Sequence, residues 1–156
     1  MITRYLEVKF RTKGKYDFLD LTDRVESFLK KCRVSQGLVN VQSKHTSAAV
    51  YVNENEPLLI KDFRQNWEKL FSPRGRYNHD NFEIRTVNMC QGECQNGHSH
   101  CNAVLLDTSV TLNIIKGKLD FGRWQRIFFV ELDRARPRQV SLLVMGEQRL
   151  IRKKSK

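Results

Sequence analysis

The alternation of apolar and polar residues predicts a series of short strands interrupted by two amphipathic helices. Residues 4–10 alternate, with Leu6, Val8 and Phe10 on one side, the period of a half-buried strand. Lys13-Gly14-Lys15 reads as the following turn, and a strand over 16–19 would complete a hairpin. Val25, Phe28, Leu29 and Cys32 then share one stripe of a helix over 22–33. Asp20 or Thr22 suits its first turn, and Lys30, Lys31 and Arg33 lie where the helix dipole favours cations. Two strands are expected at 38–42 and 48–52. Pro57 suits the first turn of a second helix, where a missing N–H breaks no intrahelical bond. Leu59, Ile60, Phe63, Trp67, Leu70 and Phe71 mark its apolar face, and Pro73 with Gly75 ends it. Residues 74–99 keep no period, the mark of a functional or mobile connection. Five strands are then expected at 102–106, 109–115, 118–121, 125–132 and 138–145. Their connections are too short for crossovers, so neighbours should be antiparallel. The expectation is an α+β fold, a strand-rich and mainly antiparallel β-sandwich with two helices.

A length of 156 residues fits one domain, here residues 1–148, with a basic tail at 149–156. No apolar run approaches the roughly 20 residues of a membrane span, and the amino terminus shows no signal-peptide pattern. A soluble, cytoplasmic protein without a membrane partner is expected. The net charge of +11 invites a nucleic-acid partner, but the charge is unevenly placed. Residues 51–114 hold six basic and eight acidic side chains, while the excess lies toward both ends. With no RNA-binding aromatic signature and no helix-turn-helix pattern, nucleic acid is the weaker alternative.

The candidate chemistry centres on four histidines: His45, His79, His98 and His100. None forms the helical i, i+4 metalloprotease pair. His98-Ser99-His100, if extended, points two imidazoles to one side. His45-Thr46-Ser47 sets an imidazole beside two hydroxyls, either a base or metal ligand with anion-binding donors or a bend whose hydroxyls cap backbone groups. Asn53 and Glu54 either serve the following helix or orient a ligand. Cys90, Cys94 and Cys101 lie near the histidines, but not at a common structural-zinc spacing, and free thiols are expected. Trp124 is expected to pack, whereas Gln125 and Glu131 flank a buried strand and need polar partners. The 133–138 turn, Asp-Arg-Ala-Arg-Pro-Arg, reads as solvated, with phosphate binding as the alternative.

Taken in series, His45-Thr46-Ser47-Ala48, Asn53-Glu54-Asn55, Tyr77-Asn78-His79-Asp80, His98-Ser99-His100, Gly117-Lys118-Leu119, Gly122-Arg123-Trp124-Gln125 and Glu131 resemble the YjbQ-like family, also called the secondary thiamine-phosphate synthase family. The resemblance implies a homotrimer with a polar pocket near subunit boundaries, where His45, His79 and His100 converge. Three imidazoles could hold a divalent metal, zinc or similar, in an open site, or bind phosphate together with Thr46 and Ser47. His45, His79, His100 and Glu131 are the candidate catalytic residues, and Thr46, Ser47, Asn53, Glu54 and Gln125 the candidate substrate contacts. The implied activity is a thiamine-phosphate synthase-type transfer, or another transfer or hydrolysis, on a small phosphorylated molecule. A non-catalytic trimer that binds a metal or anion is the alternative. Carboxylates to hold Mg²⁺ on a pyrophosphate are sparse: Glu54, Asp80 and Glu131 are the contributors.

Overall fold

The computed structural model describes residues 1–148, so the basic tail at 149–156 lies outside the described residues. The elements run β1 (Ile2–Arg11), β2 (Phe18–Asp20), α1 (Thr22–Cys32), β3 (Val34–Ser43), β4 (Ala48–Glu54), α2 (Pro57–Leu70), a 3₁₀ turn (Asn78–Asp80), α3 (Gly97–Leu105), β5 (Ser109–Ile115), β6 (Lys118–Leu119), β7 (Gln125–Glu131) and β8 (Pro137–Gln148). They build two antiparallel sheets, one ordered β1-β8-β3-β5-β6 and the other β2-β7-β4. The strand-rich α+β expectation is met.

The core lies between the sheets. Val39, Val41, Val140, Leu142 and Val144 of the larger sheet meet Val50, Ile127 and Phe129 of the smaller one, with Val25 and Leu29 of α1 closing an end. The smaller sheet is covered on its other face as well, where Ala49, Phe128 and Val130 pack with Tyr16, Ala103 of α3 and Trp67 of α2. This two-sided burial explains why Ile127-Phe128-Phe129-Val130 is continuously apolar rather than alternating.

Several local expectations change. β1 and β2 do not form a hairpin: β1 pairs with β8, and β2 pairs with β7. Register is set by which face must be buried, and the nearest strand in sequence is not the one that completes either sheet. β3 and β4 likewise belong to different sheets. Residues 102–105 of the strand expected at 102–106 are helical, within α3, so among the described residues there are three α-helices rather than two. His98-Ser99-His100 is therefore wound rather than extended, and its two imidazoles diverge. The apolar stripe of α2 is only half covered, with Leu70 exposed, because α2 packs on the rim of the aromatic cluster. Its first turn is capped by Glu56, whose carboxylate accepts from the Leu58 and Leu59 N–H groups at 2.8 and 2.7 Å, not by Asn53 or Glu54. Trp124 does not pack inward; it is exposed beneath the Arg123 guanidinium, 4.7 Å from its ring centre.

Candidate functional site

One end of the smaller sheet opens into a cavity of about 490 Å³. The β3–β4 turn supplies Lys44, His45, Thr46 and Ser47 to its wall. The 3₁₀ turn brings His79, α3 brings His100, and the start of β8 with the turn before it brings Arg136 and Arg138. The long connection adds Arg85, Asn88, Glu93 and Asn96.

His79 and His100 stand together, ring centres 4.6 Å apart. Asp80 fixes the segment that carries His79 by accepting from the Asn96 and Gly97 N–H groups at 2.9 and 2.8 Å, which ties the 3₁₀ turn to the first turn of α3. A helical advance of about 100° per residue then turns His100 into the cavity and His98 into the interior. His98 is buried against Tyr77 and bonds Ser99 Oγ through Nε2 at 3.1 Å. Ser99 donates to the Leu132 carbonyl at 2.6 Å, so its oxygen is the acceptor and His98 Nε2 carries the proton.

Burial lowers the pKa of His100 below the ordinary histidine value, and the nearby His79 lowers it further. Burial also lowers that of His45, helped by the Arg138 charge and opposed by Glu131. His45 does not join the other two as an equal. Its Nε2 accepts the Gln139 backbone N–H at 2.9 Å, so that nitrogen is occupied and the neutral ring holds its proton on Nδ1.

His45, His79 and His100 all line the cavity, as expected, but only His79 and His100 stand ring to ring. Metal ligation needs an unprotonated nitrogen with a free lone pair, and His45 spends its own on the β8 backbone. Among the described residues, no three His, Cys, Asp or Glu side chains come together as a metal site. The cysteines are free thiols; Cys94 Sγ sits 3.3 Å from the Arg136 guanidinium.

Glu131 is fully buried behind the cavity rather than in it. Arg138 grips its carboxylate through Nε and a terminal nitrogen, both at 2.6 Å, and the same guanidinium reaches Ser47 Oγ at 3.0 Å. Thr12 Oγ1 and the Asp133 N–H complete the carboxylate's partners at 3.0 Å each. Both Glu131 oxygens are thus engaged by protein donors. Asn53, Glu54 and Gln125 lie at the opposite end of the sheet. Ala48 pairs with Glu131 at the cavity end, and Glu54 pairs with Gln125 at the other, six residues or about 20 Å away.

Sequence reasoning did not single out Lys44 or Arg85, and it weighed Arg136 and Arg138 only within the 133–138 turn, where phosphate binding was the alternative to a solvated turn. The 133–138 turn is only partly solvated: Arg134, Ala135 and Pro137 are exposed, but Asp133 and Arg138 are buried, and Arg136 pairs with Asp133. The spacing of Arg136 and Arg138, two apart entering a strand, was the available signal. Each cavity cation has a carboxylate partner: Glu7 for Lys44, Glu93 for Arg85, Asp133 for Arg136 and Glu131 for Arg138. Of these four carboxylates only Glu93 lines the cavity; Asp133 and Glu131 are buried and Glu7 lies on β1.

The fold and cavity define a two-sheet α+β domain with a basic, imidazole-rich pocket at one sheet end. The family model described as UPF0047 protein YjbQ-like matches residues 6–147, and the chain belongs to that family. It is 33% identical to a UPF0047 protein of Methanothermobacter thermautotrophicus over 90% of this chain and 91% of the relative. A UPF0047 protein of Archaeoglobus fulgidus is 35% identical over 86% of this chain and 96% of its own length. Among solved structures, a YbjQ-like protein of unknown function from Sulfolobus solfataricus P2 superposes with a TM-score of 0.83 at 26% identity, covering 94% of this chain and 99% of that one. A hypothetical protein from Aeropyrum pernix K1 gives 0.78 at 36% identity, over 94% and 100%. Among the described residues, no helix is long and apolar enough to cross a membrane.

Proposed function

We propose that the cavity binds a small phosphorylated molecule and that the chain transfers or hydrolyses its phosphoryl group. One observation carries this reading: Lys44, Arg85, Arg136 and Arg138 line a single cavity with three imidazoles and two hydroxyls, while three of the four partner carboxylates are not among its lining residues. The cationic side chains attract phosphoryl oxygens, and the His79–His100 pair lies in the same cavity for proton transfer. In hydrolysis, neutral His100 takes a proton from water as the water oxygen bonds to phosphorus, and His79 protonates the leaving oxygen as its P–O bond breaks.

A thiamine-phosphate synthase-type transfer has less support. Of its three candidate Mg²⁺ carboxylates, Glu131 is bound by Arg138, Asp80 by the α3 backbone, and Glu54 lies at the far sheet end. A metal or anion binder without turnover is the alternative. A homotrimer is also part of the proposal. The outer face of the larger sheet supports it, since Tyr5, Leu38 and Met145 are exposed there, with Leu38 directly opposite Met145. Sedimentation equilibrium should give three times 18.4 kDa.

The functional test is phosphate release from a panel of phosphate monoesters, run beside calorimetric titration with inorganic phosphate. The expected result is turnover that falls by about 10²–10⁴-fold in His100→Ala. Phosphate binding without turnover on any panel member would leave the non-catalytic binder. No phosphate binding at all would remove the reading.

A further inference from the structure

An oxyanion pocket made only of donors would accept sulfate and phosphate alike, because both present oxygens of similar size and charge. This pocket is not made only of donors. Glu93 is a carboxylate in the cavity wall, set among Arg85, Arg136, Arg138, Lys44 and the imidazoles. Its pKa is lowered: burial acts against this but is outweighed by the Cys90 and Cys94 backbone N–H groups and by the Arg85 charge. One of its oxygens, Oε2, faces the Cys90 N–H and thiol and lies 3.6 Å from the Arg85 guanidinium. An ionised carboxylate has about four lone-pair positions and no proton to give, so it can only accept.

Resting on the reading that the cavity holds a phosphoryl group, we infer that Glu93 selects oxyanions that keep a proton: inorganic phosphate, or a phosphate ester in its monoanionic form, with the P–O–H donating to the Glu93 carboxylate. A fully ionised oxyanion such as sulfate places a bare oxygen against that carboxylate and is repelled. Both forms of inorganic phosphate present at neutral pH keep at least one P–O–H, and sulfate keeps none. The cations supply attraction to either anion, and Glu93 supplies the difference between them.

Glu93 also pairs with Arg85, so a purely structural role must be separable from a selective one. Glu93→Gln keeps the shape of the side chain, removes its charge and adds an N–H donor. Inorganic phosphate and sodium sulfate are each titrated into the full chain and into Glu93→Gln at pH 7 and fixed ionic strength, with thermal melts confirming that both are folded. The unmodified protein should bind phosphate about 10-fold or more tightly than sulfate. In the variant, sulfate binding should strengthen while phosphate binding weakens. Opposite signs are the signature, because a lost Arg85 contact weakens both anions together. Equal affinity of the unmodified protein for the two anions, or parallel losses in the variant, overturns the role of Glu93 while leaving the phosphate site standing. Binding of neither anion overturns the site itself. Were the variant unfolded, Glu93→Ala read by the same sulfate-to-phosphate ratio decides the point: a collapse toward unity supports selection, and an unchanged ratio refutes it.

Discussion

Arg138→Met is the sharpest probe of how the cavity wall is held. Methionine follows the aliphatic part of arginine but removes two 2.6 Å bonds to Glu131 and the 3.0 Å bond to Ser47 Oγ. Glu131, with no exposed surface, keeps only Thr12 Oγ1 and the Asp133 N–H and becomes a buried charge without its counter-ion. Breaking one side of a buried pair costs about 3–5 kcal/mol. At a urea dependence of about 2 kcal/mol per molar, the unfolding midpoint should fall by about 2 M. The double variant Glu131→Gln with Arg138→Met leaves no unpaired buried charge at these two positions, so it should recover more than half of that loss. Chemical denaturation followed by circular dichroism measures both. A single-variant loss under about 1 kcal/mol, or a double variant no better than the single, would refute the claim that this ion pair clamps β7 to β8 behind the cavity.

Acid should destabilise the protein through its buried imidazoles. The folded-state pKa values of His45, His98 and His100 are lowered, chiefly by burial, from an unfolded value near 6.5. Between each folded value and about 6.5 the unfolded chain binds more protons, so their contribution is complete above about pH 6.5 and is lost as pH falls toward the folded values. Melting temperature against pH should therefore decline below about 6.5, and His98→Gln should flatten that decline; an unchanged slope would count against it. Gly146→Ala should cost about 2 kcal/mol or more, read from the urea midpoint. An added Cβ would stand 2.2 Å from the Gln36 carbonyl oxygen, where Gly146 faces Gly37 across β3 and β8. A midpoint equal to that of the parent would show that the two strands can part at little cost.

The sequence by itself determined the local elements wherever period and terminus agreed. The stripe Val25, Leu29 and Cys32 is the buried side of α1, and Pro57 opens α2 as its missing N–H requires. The alternation of Leu6, Val8 and Phe10 lies in β1, with Val8 and Phe10 against the core. It also singled out His45, Thr46, Ser47, His79 and His100, which do line one cavity. Period failed at residues 97–105. A short run with few charges and no clear stripe fits strand or helix equally, and the choice fell to packing against the smaller sheet and to Asp80 holding the first turn of α3.

Only the tertiary structure decided which strands pair, that His98 and His100 part company, and that Glu131 stands behind the site. It alone placed Asn53, Glu54 and Gln125 at the far end of their strands, and Arg85, Arg136 and Arg138 in the cavity. The physical reason is that periodicity reports which face of an element is buried, whereas a site depends on which ends of distant elements meet. A charged side chain carries no sign in the sequence of whether water or a buried partner will balance it. Arg138 shows this most plainly: within a run that reads as a solvated turn, it becomes a buried cation because the carboxylate that neutralises it, Glu131, is carried into place by the neighbouring sheet.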